Sequence, residues 1–402
     1  MIFKFITIIT LSLLYIVNIT ASSSIYKPHK YRTAKISASP FIKNPLTNKL
    51  SNLALIRGGT IDTTADNVDN SDDILANMND CETTECKEQK TSISGPTFPL
   101  SLTASSPGGK SSLPSWLSSN RSLLFSTLLP KHGAVLLRGF SVPDAAAFSE
   151  AVLSMELEEQ PYIGGNAVRS VVAERVFTSN ESPPTERIPF HHEMAQVPRF
   201  PTRVMFYCET PSASGGQTPI VLSNEVSDYL ELEMPDLFSR FKREGVRYVR
   251  TMPKEDDATS ALGRGWMSTY TGGKDDRAVC EQEMRKDGVK WEWMENGDLK
   301  TVSKKLSAVR EVDGRSVFFN QVVAAYSGWN DSRNVAEKAV VFGDSMEQLP
   351  KDQMTKLIGK METLSVSFDW EQGDVLIIDN RLAMHSRAPF VKPRRVLASL
   401  AR

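Results

Sequence analysis

A mainly β fold with helical support, a double-stranded β-helix (jelly-roll) barrel carrying a long insert, is predicted by three features of the 402-residue chain. Short apolar runs bounded by glycine or proline mark strands near both ends of the body. Helix-like segments interrupt these runs in the middle instead of alternating with them strand by strand. The turn Gly215-Gly216-Gln217-Thr218 leads straight into another apolar run. Strand-rich ends around a helical interruption fit a jelly roll better than a parallel sheet.

In chain order, residues 117–129 are expected to be helical, and Gly133-Ala-Val-Leu-Leu-Arg-Gly-Phe140 reads as a buried strand flanked by glycines. Ser141-Val-Pro-Asp144 reads as a capping box with Pro143 in the first turn of a helix running to about Leu157. Arg203 to Cys208 and Pro219 to Leu222 are expected strands. Helices are expected over 224–233 and 235–244, the second opened by Pro235 and stopped by Gly245. Residues 251–316 read as a long insert of short strands and loops. A strand over 317–320 and helices over 331–341 and 351–363 follow. Gly373 to Asp379 and Arg395 to Leu400 supply the closing strands.

Charge divides the chain into three parts. Residues 1–59 hold eight Lys/Arg and no Asp or Glu, and residues 60–90 hold nine acids and two Lys. With both segments set aside, 37 basic and 39 acidic residues remain. A balanced body gives no basic face for nucleic acid and suits an enzyme acting on a small molecule. Lys4, the apolar run Phe5 to Val17 and the small residues Ala21 to Ser24 have the order of a signal peptide. The run is short for a bilayer span, so no stable membrane span is expected in the mature protein. The acid-free segment to residue 59 has transit-peptide composition. Residues 1–59 are therefore read as a targeting presequence entering the secretory pathway, with a plastid destination through a bipartite signal and secretion as the alternative. Residues 60–95, poor in large apolar side chains, read as a disordered acidic linker, and residues 96–402 as the catalytic domain. Cys81 and Cys86 lie in that linker, where a disulfide between them is possible; Cys208 and Cys280 are far apart, and no CxxC pair suggests zinc.

Five histidines occur, at 29, 132, 191, 192 and 385. Two sit in Pro189-Phe190-His191-His192-Glu193-Met194, and His385 follows Asn380-Arg-Leu-Ala-Met384. Two His and one carboxylate on one face of a metal leave positions open for co-substrate and O₂, the arrangement of a non-haem iron oxygenase. In an extended segment His191 and Glu193 share a face and His192 points away. His385 is the best third ligand. Taken alone, His-x-Glu is a common surface pattern. A hydrolytic zinc enzyme is a weaker reading, because no HExxH motif occurs. A dicarboxylate co-substrate also needs a cation for its far end. Arg395, opening an apolar strand, can enter the barrel and pair bidentately with a carboxylate. Arg394 is its neighbour, and alternation lets only one of the two face inward. Thr218 can donate a hydroxyl to the same group.

These segments, in this order, resemble the taurine dioxygenase and clavaminate synthase family, and especially its clavaminate synthase-like members in plants and algae. Supporting stretches include Tyr162-Ile-Gly-Gly165, Arg175 to Pro184, Gly263-Arg-Gly-Trp266 and Phe319 through Trp329, and the resemblance spans roughly 130–402. It implies that His191, Glu193 and His385 bind Fe(II), and that Thr218 and Arg395 bind the tail carboxylate of 2-oxoglutarate. It implies consumption of O₂ with release of succinate and CO₂, hydroxylation of a small molecule being the default outcome. Two departures stand out: Glu193 replaces the Asp of taurine dioxygenase-like members, and Ser399 stands where they carry a second Arg. The 1-carboxylate of 2-oxoglutarate must then be held differently. Asn320, Arg169 and Tyr326 are candidate pocket residues. The competing reading is a jelly-roll binding protein without turnover.

Overall fold

The run Val375-Leu-Ile-Ile-Asp379 is buried at every position, so its alternate side chains must meet two different cores. They do. Val375 and Ile377 pack into one apolar cluster, Leu376 and Ile378 into another. The same period of two holds in the neighbouring strand Arg203–Thr210, where Met205 and Tyr207 face one way and Val204, Phe206 and Cys208 the other. It holds again in Arg395–Ala401, with Leu397 and Ala401 on one side and Val396, Ala398 and Leu400 on the other.

The computed structural model describes residues 80–402 except 94, 106–111 and 180–181. The expected presequence and residues 60–79 of the expected linker lie outside the described residues. The strands above belong to an eight-stranded mixed sheet. Its order is Cys81–Thr84, Leu100–Ala104, Ala134–Arg138, Val375–Asp379, Arg203–Thr210, Arg395–Ala401, Val176–Thr178 and Val171–Ala173. Its pairings are antiparallel except between Leu100–Ala104 and Ala134–Arg138. A second sheet of three antiparallel strands, Ile220–Leu222, Ala383–Arg387 and Ile188–His191, contributes Ile220, Leu222 and Ala383 to the cluster holding Leu376 and Ile378. That shared core joins the two sheets. The outward face of the small sheet, Phe190, Val221 and Met384, packs on a separate helical core built from Ser223–Glu233, Pro235–Glu244, Val322–Gly328 and Lys351–Leu364.

Several expectations are corrected. The linker expected to 95 is ordered over its last part: Cys81–Thr84 pairs with Leu100–Ala104, and Cys81 and Cys86 are buried as free thiols, not joined as a disulfide. Edge pairing, the two buried thiols and polar contacts such as Ser367 N donating to Glu88 Oε2 at 2.9 Å hold a segment whose composition is polar. The helix expected from Ser141 starts at Ala145 and ends at Ser154, with Asp144 itself as N-cap accepting from Ala147 N at 2.9 Å. Residues 331–341, expected as a helix, form only a 3₁₀ turn at Ala336–Lys338 before the strand Val340–Phe342. The insert carries an 11-residue helix, Arg277–Asp287, where only strands and loops were expected. No helix among the described residues is long and apolar enough to cross a membrane.

Candidate metal centre and cavity

Register brings the histidines together. His385 pairs directly with His191 across the small sheet and with Ile220 on its other side. Residues directly opposite in an antiparallel pair project to the same face, and the two imidazole centroids are 4.3 Å apart. Phe206, on the inner face of the large sheet, meets the His385 ring edge-on at 5.0 Å. Glu193 arrives differently from the extended path expected. The strand ends at His191, and the chain turns through Met194, whose φ is 57°. Asn380 fixes that turn: its Oδ1 accepts from Glu193 N at 2.8 Å, and its Nδ2 donates to the carbonyls of Glu193 and Pro201 at 3.0 and 2.7 Å. One ligand atom from each of His191, Glu193 and His385 lies within 4.8 Å of the other two. His385 Nε2 faces Glu193 Oε2 at 3.8 Å.

This donor set fits one divalent cation. Burial pushes both imidazoles below the usual histidine range, His385 well below it, so each ring stays neutral and keeps a lone pair. His191 Nδ1 donates to the Pro189 carbonyl at 2.9 Å, which fixes the tautomer and leaves Nε2 for a metal. Two neutral imidazoles and a carboxylate on one side of a cavity are the donors of a facial triad.

His192 points away. Its Nδ1 donates to the Asn380 carbonyl at 2.6 Å, Ser223 Oγ bonds its Nε2 at 2.8 Å, and burial holds its ring at about 3. This ring ties the site to the helical core. His192→Ala is expected to lower unfolding free energy by roughly 2–4 kcal/mol, from a cavity and two orphaned partners. The folded fraction should still bind Mn(II) as the wild type does. Denaturant titration and Mn(II) binding measured side by side check both halves; a variant folded normally but unable to bind metal would place His192 in the donor set.

A cavity of about 1010 Å³, its open mouth included, is lined by the triad and by Thr218 and Arg394. Arg394 is the arginine that faces inward. Val396 belongs to the inner core, so alternation sends Arg394 to the same side and Arg395 to the other. Arg395 instead lies half-exposed beside Glu209, and a bulge separates it from Val396. The expectation that Arg395 enters the cavity is therefore corrected: Arg394 lines it and Arg395 does not. Arg394 Nε donates to the Gly216 carbonyl at 2.7 Å. Gly216 has φ 77° and a Cβ there would fall 2.7 Å from Arg394 Cδ, so only glycine admits this approach. Burial, with Arg387 nearby, pushes the Arg394 guanidinium down to about 10. Among the described residues no carboxylate pairs with it. Thr218 Oγ1 accepts from Trp370 Nε1 at 3.1 Å, which leaves its own hydroxyl proton free to donate.

The other expected pocket residues divide. Arg169 lines the cavity and its Nη2 donates to Glu193 Oε2 at 3.0 Å. Asn320 does not line it: Nδ2 donates to the Ala308 carbonyl and Oδ1 accepts from Val322 N, so both ends serve the backbone. Tyr326 is corrected too. On the helix Val322–Gly328 the cavity face carries Ala324 and Gly328, one turn apart, while Tyr326 packs into the helical core on the opposite side. Asn380, Gln321 and Trp329 were missed. The sequence signal for Asn380 was an Asp-Asn pair between two apolar runs, the mark of a turn.

Residues 97–400 match the family model described as taurine catabolism dioxygenase TauD, TfdA family, and the chain belongs to this family of dioxygenases. It is 46% identical over 278 residues to a clavaminate synthase-like protein of Arabidopsis thaliana, covering 69% of this chain and 83% of that one. Similarity extends to the dapdiamide synthesis protein DdaC of Enterobacter agglomerans, 27% identical over 286 residues, 68% of this chain and 83% of that one. Among solved structures, a taurine dioxygenase from Burkholderia xenovorans aligns with a TM-score of 0.44 at 14% identity, over 80% of this chain and 89% of that chain.

Proposed function

We propose that the chain is an Fe(II)- and 2-oxoglutarate-dependent dioxygenase that oxidises a small molecule, by default through hydroxylation, and that its two sheets form the halves of a double-stranded β-helix. One observation carries the reading: a three-donor facial set shares one cavity with the partly buried Arg394 guanidinium, which has no carboxylate partner among the described residues. A metal explains the first, and a carboxylate held away from the metal explains the second. Ferrous iron bound with 2-oxoglutarate supplies the chemistry that reduces O₂ and converts the ketoacid to succinate and CO₂. The protein's part is placement. His191, Glu193 and His385 hold the metal, Arg394 and Thr218 set the orientation of the dicarboxylate, and Leu262, Ile188 and Trp329 form an apolar wall where substrate meets the site and water is excluded.

The experiment is turnover of 2-oxoglutarate in the presence of O₂. Succinate should form with Fe(II) and not with Zn(II). No succinate under any metal, with tight binding of a dicarboxylate retained, would favour a binding protein without turnover.

We also propose delivery to a plastid through residues 1–59, on the basic, acid-free composition that follows the apolar run. A reporter fused to residues 1–60 should enter the plastid, and deleting residues 2–20 should leave it in the cytosol. Export of the reporter into the medium would instead establish secretion.

A further inference from the structure

Arg169 is more than a counter-ion. Its side chain is nine-tenths buried on the cavity wall, where Nη2 donates to Glu193 Oε2 at 3.0 Å and Tyr162 lies against the guanidinium. Nε and Nη1 are enclosed and have no hydrogen-bond partner among the described residues. The guanidinium face stacks on Tyr162, 4.1 Å from the ring centroid, and on Phe177 at 5.0 Å, which fixes its plane. Enclosed N–H groups without acceptors are costly, so an acceptor is missing. A cation touching a metal-ligating carboxylate also meets the repulsion of a divalent ion once the site is loaded, and a second carboxylate at the metal offsets it.

Resting on the proposed function, we infer that Arg169 holds the 1-carboxylate of the 2-oxo acid, through the guanidinium edge that Glu193 does not use. Arg394 and Thr218 then hold the other end of the same molecule. The site reads a 2-oxo acid by two arginines, one at each carboxylate, and the arginine at the metal is shared with a metal ligand.

The test uses the full chain, loaded with Fe(II) without O₂ and titrated with 2-oxoglutarate and with pyruvate. Pyruvate keeps the 2-oxo acid group and lacks the tail. Binding is read from the visible charge-transfer absorption of the iron–ketoacid complex, and Mn(II) affinity is measured separately without ketoacid. Arg169→Met should weaken both ketoacids by about 30-fold or more, the loss typical of a buried charge-assisted pair. Arg169→Lys should recover part of this, and it serves if the Met variant folds poorly. Arg394→Met should weaken 2-oxoglutarate alone. Ketoacid affinities within twofold of wild type in Arg169→Met, with only Mn(II) affinity reduced, overturn the inference: the guanidinium would then serve Glu193 alone. Absence of the absorption in the wild type contradicts the proposed function itself, a different failure from a wild-type band that Arg169→Met leaves unchanged.

Discussion

Replacing His191, Glu193 or His385 with alanine is expected to abolish Fe(II)-dependent succinate formation. Each supplies one of three donors converging on one spot. Removing one leaves two protein donors, and water cannot restore the buried geometry. Outer-shell partners of metal ligands are worth about 10–100-fold in affinity, so a direct ligand should cost more than about 100-fold. The three variants should differ in a second property. His191→Ala and His385→Ala remove neutral rings, whereas Glu193→Ala also leaves the Arg169 guanidinium buried without its ion-pair partner. That variant should therefore lose stability as well as metal, by roughly 3–5 kcal/mol, the usual result of leaving one member of a buried pair alone. Metal titration and thermal melting of the three proteins check this. Metal binding surviving any one of them at wild-type strength removes that residue from the donor set.

The second large effect concerns the dicarboxylate. Arg394→Ala should raise the 2-oxoglutarate concentration needed for half-saturation by about 30-fold or more, equivalent to 2–5 kcal/mol for a buried charge-assisted pair. Mn(II) affinity should hardly change, since Arg394 is held at the Gly216 carbonyl and is not one of the three donors. Thr218→Ala should cost roughly 1 kcal/mol through one lost hydroxyl donor. Arg394→Lys should recover only part, because an ammonium cannot make the planar fork. Arg395→Ala is the contrast: it removes a surface pair with Glu209, worth at most about 1 kcal/mol in stability, and should leave the co-substrate requirement alone. The reverse order of effects for the two arginines would show that the strand's parity is wrong.

The parity of that strand marks where sequence reading stopped. Val396-Leu-Ala-Ser-Leu-Ala401 is apolar on both faces, because the large sheet has a core on each side. Hydrophobic alternation is then silent, and the identity of the inward arginine cannot be read from the chain alone. The three candidate donors were legible for the opposite reason. Histidine is scarce here, and His191, Glu193 and His385 have no bland pairing with one another in sequence. Their meeting depends on the register His385 to His191, a long-range fact that a motif only suggests. Tyr326 and Asn320 were misplaced because neither helix rotation nor the demands of nearby carbonyls show in composition. Asn380 went unnoticed because its work is done on backbone groups of residues nearly two hundred positions away. The polar segment after residue 80 misled through composition, since edge pairing and polar contacts with the body hold it with few apolar ones.

The most direct measurement of the central claim is anaerobic titration of the wild-type protein with Fe(II) and 2-oxoglutarate, followed by visible absorption. The account expects a charge-transfer band that needs both components, saturates at one iron per chain, and is missing when His385 is replaced by alanine. A protein that binds 2-oxoglutarate without iron, or iron without ever giving that band, would contradict it.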